Sequence, residues 1–461
     1  MSWGTIATLL LPENLLLAGI VALVGIEIAM RRPRGELAVA LVACAAATVA
    51  AFWLYATGVV AEPFPGHFSV TPATLLAKAI VLALTLPVLL VSRDDFETGP
   101  FHTLLLLSLY GACLLLSSDS FLTLFIGLEM MSMPVYALVL LAYRRPESAE
   151  AALKYLVLGG AASAALLLGV SLLYGGSGSL SIAVFTAALE SADTMARAGV
   201  LLVVVAFFVK AAVVPFHTWA PDAYEGASVP VTAFMATIVK AAVLLAVARL
   251  FAEAPMRGSI VDIIALLPLA SIVWGNLAAM RQASLRRMIA YSSIAHAGYL
   301  FYAFLGEGPT RFEAVLFYVL AYGVMNLLVF AALPPHADDA ARDRIDNLRG
   351  LFQRAPFAAV LIAVALLSLA GIPPLPGFVA KFLIFKNVIA AGYTTYAVLG
   401  LVGSYLGIYF YLRVIQFMFM SEEPLAAGHR SAGALAVGAA LVCLAAAIVL
   451  GVYPAVMLGR V

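Results

Sequence analysis

The sequence predicts an all-α polytopic membrane protein. Of the 461 residues, 64% are hydrophobic and only 11% are charged, and the mean hydropathy is +1.06. A soluble domain carries about 25% charged residues, so this composition excludes a water-soluble globule. Apolar runs long enough to cross roughly 30 Å of hydrocarbon recur along the chain. They are continuous rather than alternating, which favours transmembrane helices over a β-barrel.

About fourteen transmembrane helices are predicted when the chain is broken at polar or Pro/Gly-rich joints. The predicted spans are residues 9–30, 36–58, 73–92, 100–117, 120–142, 149–174, 197–219, 228–252, 259–279, 285–305, 312–333, 356–391, 394–420 and 432–457. Span seven is interrupted around Pro215 and Pro221. Span twelve contains three prolines between Gly371 and Gly377, so we expect it to consist of two half-helices.

The spans suggest a single membrane domain with an internal repeat. We expect an N-terminal three-helix segment (1–98), a first five-helix repeat (99–254), a second five-helix repeat (255–421) and a C-terminal helix (422–461). The fourth member of each repeat, helix seven or helix twelve, is the one broken by proline. Because five is odd, the second repeat is inverted relative to the first. Inverted repeats with broken helices are typical of ion and substrate sites in transporters.

Arginines in the connections predict the orientation in the membrane. Connections after odd-numbered spans hold Arg31, Arg32, Arg34, Arg93, Arg144, Arg145, Arg281, Arg286, Arg287, Arg342, Arg344, Arg349, Arg354 and Arg430. The opposite side holds Arg197, Arg249, Arg257, Arg311 and Arg460. The positive-inside rule then places both termini outside the cytoplasm.

The lysines follow a different rule, because every one of them lies inside a predicted span. They are Lys78, Lys154, Lys210, Lys240, Lys381 and Lys386. A buried lysine can lose its proton, whereas arginine stays charged, so the division suggests titratable cations along a proton path and permanent cations for topology. The alternative is a GC-rich genome that favours arginine throughout. Lys78 and Lys386 lie near span ends and are interpreted as structural.

Four residues are the main candidates for proton transfer: Glu129, Lys210, Lys240 and Lys381. Each lies well inside an apolar span, where a charge costs roughly 2.5–3.5 kcal/mol even on insertion scales. Glu129 would need a partner or a proton there, and Lys210 lies just before the proline break, where freed carbonyls can hold water. The alternatives are a packing role for Glu129 and lysines that snorkel to an interface.

Three further residues are secondary candidates: Lys154, His217 and His296. Lys154 is nearer the start of its span, and snorkelling is the competing explanation. Histidine titrates near neutral pH, which suits a relay. His217 could instead cap the broken helix, and His296 could be a core histidine.

The driving reaction is expected in a partner, because this chain shows no motif for a redox cofactor, nucleotide or metal. Its three cysteines (Cys44, Cys113 and Cys443) are far apart, and no C-x-x-C occurs. Gly-rich nucleotide fingerprints are absent, and no basic stripe suggests nucleic acid. Moving one charge fully across the membrane costs about 2.3 kcal/mol per 100 mV, so a pump needs an external energy source.

Four segments of the chain resemble the antiporter-like membrane subunits of respiratory complex I, the proton-pumping NADH–quinone oxidoreductase. They are GLEMMSMPVYALV, PFHTWAPDAYEGASVPVTAFMATIVK, RQASLRRMIAYSSIAHAGYL and LLSLAGIPPLPGFVAKFLIF. Within that family the chain is most similar to the subunit N type, which has about fourteen helices, no long lateral helix and a lysine at the position of Lys381. The resemblance covers nearly the whole length.

The resemblance implies roles for the candidate residues. Glu129 and Lys210 match the buried Glu–Lys pair of the family, Lys240 its central relay lysine and Lys381 its terminal lysine. Lys154 and His217 match modulators or connectors of the relay, and His296 matches the histidine of the second half.

The resemblance also implies the setting of the chain. It would be a subunit of a heteromultimeric translocase in the bacterial cytoplasmic (inner) membrane, with other membrane-arm subunits, lipid and protons as partners. FMN, iron–sulfur clusters and quinone would be bound by partner subunits, and no cofactor by this chain. The alternatives left open are a subunit of a multisubunit cation/proton antiporter and a subunit of a membrane-bound hydrogenase.

Overall fold

The computed structural model describes residues 1–29, 35–96, 99–142, 145–252, 259–306, 310–335, 339–420 and 432–459. Several of the arginines used to predict the orientation lie outside these ranges. They are Arg31, Arg32, Arg34, Arg144, Arg257, Arg430 and Arg460.

Helices dominate the described residues. In chain order they are α1 (Trp3–Leu9), α2 (Leu11–Ala29), α3 (Glu36–Ala56), α4 (Pro72–Ser92), α5 (Phe101–Leu116), α6 (Phe121–Leu140), α7 (Glu147–Ser177), α8 (Ala183–Glu190), α9 (Thr194–Ala211), α10 (Trp219–Gly226), α11 (Val229–Phe234), α12 (Lys240–Leu250), α13 (Ser259–Ala279), α14 (Leu285–Tyr302), α15 (Thr310–Ala332), α16 (Asp339–Arg342), α17 (Leu351–Arg354), α18 (Pro356–Ala370), α19 (Pro376–Ala390), α20 (Thr394–Met420) and α21 (Ala434–Val452). A π-helical turn, Met235–Val239, joins α11 to α12 without a break.

The predicted membrane architecture is confirmed in outline. Within the described ranges, 12 helices are long and apolar enough to cross a membrane, and two shorter apolar helices, Phe101–Leu116 and Pro356–Ala370, fall where spans four and twelve are predicted. The total of fourteen spans and the inverted repeat stay predictions. One small hairpin was not predicted: β1 (Ala61–Phe64) pairs antiparallel with β2 (Phe68–Val70) in the connection between α3 and α4.

Both predicted breaks are present, although Pro221 lies in the first turn of α10 and does not interrupt it. Helix α9 ends at Ala211, the next residue has a left-handed backbone (φ 61°), and the chain resumes as α10. Helix α18 ends at Ala370, Gly371 has φ 89°, and α19 begins at Pro376. A helix end leaves its last carbonyls without intrahelical partners, so each break places free acceptors inside the protein.

The helix that carries Lys240 lies at the centre of the molecule. The joined segment Val229–Leu250 and helix α15 are buried along their whole apolar windows, whereas α2 and α21 expose most of theirs. Helices that are apolar all round belong in the interior of a large protein or a bundle. The residues around Lys240 are therefore shielded by other helices from the surroundings.

Several arginines depart from the interpretation that connection arginines serve only topology, and Arg286 is the most deeply buried of those described. Arg286 is fully buried at the start of α14, and its guanidinium lies 2.9 Å from Oδ1 of Asp343. Asp343 also accepts hydrogen bonds from Ser284 and from the backbone N–H of Arg286. This ion pair fastens the connection after α15 to the beginning of α14.

Candidate functional site: a buried row of lysines

Glu129 and Lys210 are brought together, as the sequence predicts. Helix α6 carries Glu129 and the last turn of α9 carries Lys210; Nζ lies 3.3 Å from Oε1. The ammonium also donates to Ser132 Oγ at 3.2 Å and to Tyr136 Oη at 3.3 Å. Ser163 on α7 donates to the same carboxylate oxygen at 2.5 Å. Residues of three helices thus meet at one ion pair, in which Lys210 is buried and the Glu129 side chain is 16% exposed.

The position of Lys210 suits a cation. It lies in the last turn of α9, at the carbonyl end of the helix dipole, where positive charge is favoured. Trp219, the first residue of α10, donates its indole N–H to the carbonyl oxygen of Val209 at 2.8 Å. The second half-helix is therefore anchored to the end of the first, one residue before Lys210.

Lys240 has a different environment. Its Nζ donates to the carbonyl oxygen of Ser293 at 2.7 Å and to the Ser293 hydroxyl. Both acceptors belong to one residue of α14, and among the described residues no carboxylate pairs with Lys240. The π-helical turn ends immediately before it, and such turns occur frequently at functional sites.

His296 is buried on α14, and both of its ring nitrogens have partners. Nδ1 lies 2.8 Å from the hydroxyl of Tyr318, and Nε2 lies 3.4 Å from that of Tyr411. The Tyr411 hydroxyl also contacts that of Ser292. Because a hydroxyl can donate or accept, this set of partners is compatible with either tautomer of the ring.

Lys381 lies at the second break. Its Nζ donates to the carbonyl oxygens of Leu369 (3.1 Å) and Ala370 (3.0 Å) and to Ser404 Oγ (3.0 Å). The two carbonyls are orphan acceptors at the end of α18, so the ammonium satisfies the broken helix and sits at its negative pole. A cavity of about 670 Å³ beside it is lined by Phe378, Phe382 and Tyr405, among others.

We call Glu129, Lys210, Lys240, His296 and Lys381 the row. Lys154 is not part of it. Its side chain is 44% exposed and pairs with Glu150 at 2.6 Å and with Asp222 at 2.7 Å. Asp222 also accepts from Arg287 at 2.7 Å. Partial burial alone would raise the pKa of Asp222, but its hydrogen bonds with Lys154 and Arg287 hold that pKa below its usual value. Lys154 therefore belongs to a partly exposed ion network that includes Asp222 in the first turn of α10.

His217 is half-buried between the two halves of the broken span. Its Nε2 accepts the indole N–H of Trp274 on α13 at 3.0 Å. Thr218, at the N-cap position of α10, makes no side-chain capping bond. The imidazole of His217 thus joins the break to a neighbouring helix, and it makes no hydrogen bond to Lys210 within the described part of the chain.

The sequence did not reveal the hydroxyl groups around the row. The hydroxyl partners are Ser132, Tyr136, Ser163, Ser293 and Ser404.

The sequence also did not reveal a further buried ion pair. It joins Lys78 of α4 to Glu13 of α2 at 2.5 Å, and both side chains are buried. Glu13 was the available signal, since it is a lone carboxylate near the start of the first apolar run. Glu36 and His102 form a further buried contact, 3.6 Å between Oε2 and Nδ1.

The row contains groups that can bind and release protons, and the described residues offer no metal site. No group of three or more His, Cys, Asp or Glu side chains is arranged there to hold a metal ion. Five titratable groups are instead enclosed by helices and bonded to hydroxyls and carbonyls. The helical fold, two broken spans and this row define a multi-spanning membrane protein of the antiporter-like class.

Comparisons with known proteins place the chain more closely. The family model described as NADH:quinone oxidoreductase/Mrp antiporter matches residues 118–407. NADH-quinone oxidoreductase subunit N of Pelobacter propionicus is 39% identical over 413 residues, which cover 90% of this chain and 89% of the relative. The chain belongs to this family, and within it to the NADH-quinone oxidoreductase subunit N proteins.

Solved structures agree with this placement. A chain of respiratory complex I from Thermus thermophilus superposes with a TM-score of 0.85 at 33% identity, covering 96% of this chain and 97% of that one. A chain of the Mrp complex from Dietzia sp. gives the same TM-score at 24% identity, covering 100% and 96%, which shows a shared fold. The resemblance inferred from the four sequence segments is confirmed.

Proposed function

We propose that this chain is the proton-translocating membrane subunit of an NADH–quinone oxidoreductase of the complex I type. Quinone reduction in partner subunits drives proton transfer through Glu129, Lys210, Lys240 and Lys381, with His296 between the last two lysines. His217 and Lys154 act as modulators, Lys154 through its surface network. The observation that carries the proposal is that Lys210, Lys240 and Lys381 are buried, yet each ammonium donates to a different set of acceptors.

The three lysines differ in the acceptors that stabilise their ammonium form. Lys210 has a carboxylate, Lys240 has a carbonyl and a hydroxyl from one serine, and Lys381 has two helix-end carbonyls and a hydroxyl. An ammonium that loses contact with Glu129 keeps only the hydroxyls of Ser132 and Tyr136, which stabilise charge less than a carboxylate does. Shifting Lys210 relative to Glu129 would therefore release a proton.

The energy for that shift comes from partners. FMN, iron–sulfur clusters and quinone are bound in other subunits of the complex, and this chain supplies only the proton path. The complex lies in the cytoplasmic (inner) membrane of a bacterium, and both termini of this chain face the periplasm. The excess of arginines on one side of the predicted spans supports this orientation.

The second candidate is a subunit of a multisubunit cation/proton antiporter, since the Mrp structure has the same fold. Purification of the tagged chain from its native membrane in detergent separates the two. Co-purifying flavin and iron–sulfur absorbance with NADH–quinone activity is the expected result. A colourless complex that exchanges Na⁺ for H⁺ would overturn the proposal in favour of the antiporter.

A further inference from the structure

Lys240 depends on a single residue for its hydrogen bonds. Both described acceptors of its ammonium, a carbonyl oxygen and a hydroxyl, belong to Ser293. Lys210 and Lys381, by contrast, each have three acceptors from different residues. A buried ammonium without a carboxylate relies on the hydrogen bonds that favour its charged form. Ser293 is therefore placed to control the charge on Lys240.

Ser293 is also bonded to the broken span of the first repeat. The hydroxyl of Tyr224, on half-helix α10, lies 3.4 Å from Ser293 Oγ. The backbone of Tyr224 is fixed by Thr232, whose hydroxyl donates to its carbonyl oxygen at 2.7 Å. Tyr224 and Ser293 are both almost fully buried, so water does not compete for this contact.

Half-helix α10 therefore contacts the surroundings of two lysines. Trp219 at its start bonds the carbonyl of Val209, next to Lys210, and Tyr224 bonds the serine that holds Lys240. Tyr224 lies five positions after Trp219, a rise of about 7.5 Å along a helix. A movement of α10 would therefore change both the Trp219–Val209 contact and the Tyr224–Ser293 contact.

The chemistry of a hydroxyl makes the second contact sensitive to charge. A serine hydroxyl has one proton to donate and can accept at its oxygen. When Lys240 is an ammonium, Ser293 accepts from it and can donate its own proton to Tyr224. When Lys240 is a neutral amine, Ser293 can donate to the amine and accept from Tyr224. The direction of the Ser293–Tyr224 bond thus reports the charge on Lys240.

We propose that Ser293 is the positioning residue of Lys240, and that reversal of the Ser293–Tyr224 hydrogen bond couples the charge on Lys240 to half-helix α10. This inference rests on the proposed proton relay and assigns to it a link between its two halves. Other ionisable groups on helices packed around Lys240 include Lys78, Cys113, Lys210, His296, Tyr318 and Tyr322. Among the described residues none of these bonds to Lys240.

The test uses the whole complex in inverted membrane vesicles and measures NADH-driven proton translocation against pH. Ser293→Ala removes one charge-assisted bond from the ammonium, so the alkaline decline of translocation should move to lower pH by about one unit. Ser293→Thr retains the hydroxyl and should restore the profile. Tyr224→Phe should slow translocation about fivefold, the effect of one hydrogen bond.

The effects of Ser293→Ala and Tyr224→Phe on proton translocation should not be additive. If Tyr224 acts through Ser293, the double variant Ser293→Ala/Tyr224→Phe should behave as Ser293→Ala alone. Ser228→Ala and Tyr302→Phe are the matched controls, because each removes a buried hydroxyl that makes no hydrogen bond within the described residues. Both should match the unmodified complex.

The inference is overturned if Ser293→Ala leaves the pH profile unchanged, or if Tyr224→Phe has its full effect in the Ser293→Ala background. If the complex with Ser293→Ala does not assemble, the inference is tested with Tyr224→Phe alone. An unchanged rate of proton translocation in that variant overturns it. Lys240→Ala is measured in parallel. Normal pumping by that variant contradicts the relay itself, whereas its loss beside an unchanged Ser293→Ala contradicts only the role given to Ser293.

Discussion

Lys210 and Glu129 form an ion pair 3.3 Å long, although they are 81 positions apart in the sequence. The pair is made where a helix is broken and where two hydroxyls also reach the ammonium. Buried ion pairs seldom add net stability, because desolvation of both charges offsets their attraction. Net stability alone does not decide between a role in folding and a role in the proposed proton relay. We assign the pair to the relay because Lys210 lies at the helix break.

Gly159 is expected to matter because it leaves room for Tyr136. A Cβ at Gly159 would lie 2.0 Å from the hydroxyl that contacts Lys210, whereas one at Gly160 would meet nothing within 4 Å. Gly159→Ala should displace that hydroxyl and lower proton translocation several-fold, about the effect of one hydrogen bond to a charged group. Gly160→Ala is the matched control. Equal rates in the two variants would show that Tyr136 is not needed.

Lys381 is expected to require a titratable cation and not merely a charge. Lys381→Arg keeps the charge but cannot release a proton, so it should lose proton translocation as fully as Lys381→Met does. Lys386→Met, an exposed lysine five residues further on, serves as the control and should pump normally. The measurement is acidification of inverted vesicles driven by NADH. Pumping by Lys381→Arg would remove Lys381 from the relay.

The Glu13–Lys78 pair is expected to be structural. Glu13→Gln leaves a buried ammonium without its counter-ion and should destabilise the protein by roughly 3–5 kcal/mol. The double change Glu13→Leu/Lys78→Met removes both charges and should recover most of that loss. The stabilities of the native complex, of Glu13→Gln and of the double variant are ranked by thermal inactivation of the purified complexes. A double variant as stable as the native complex but unable to pump would give this pair a role in proton transfer.

Stability at acid pH is expected to depend on Asp343. Burial alone would raise its pKa, but Arg286 and the hydrogen bonds from Ser284 and the Arg286 backbone lower the pKa below its usual value. A carboxyl with a lowered pKa contributes stability that is complete above its unfolded value, about 3.9, and is lost as the pH falls through the folded value. Asp343→Asn should therefore lower the inactivation temperature at neutral pH, and the difference should shrink below about pH 4.

The exposed neighbour Asp346 provides the comparison for that experiment. Its one ion pair among the described residues is a 3.4 Å contact with Arg349, and its own side chain is 54% exposed. Asp346→Asn should leave the inactivation temperature nearly unchanged, because surface ion pairs contribute little. If the two variants lose the same stability at neutral pH, the buried pair with Arg286 is not what anchors this connection.

The sequence was a good guide wherever polarity is rare. A glutamate or lysine inside an apolar span is conspicuous, so Glu129, Lys210, Lys240 and Lys381 could be found without a structure. Clusters of proline and glycine likewise located both helix breaks. Each of these signals is local, within a single span.

The partners of these residues could not be found in the same way. Serine and tyrosine are common in membrane helices, so nothing in the sequence distinguishes Ser293, which holds Lys240, from Ser228, whose buried hydroxyl makes no bond in the described structure. Which serine faces which lysine depends on how distant helices pack. Lys154 lies in a helix where a span is predicted, but the packing of the helices leaves its side chain 44% exposed in a surface ion network, which the sequence of the span does not show.

The central claim is tested most directly by NADH-driven proton uptake into inverted vesicles that contain Lys210→Ala or Lys240→Ala. Both variants should assemble, because neither lysine is the sole contact of its helix, and both should fail to acidify the vesicle lumen. The quantity to compare is protons taken up per NADH oxidised, at equal amounts of assembled complex. Normal proton uptake in either variant would contradict the relay.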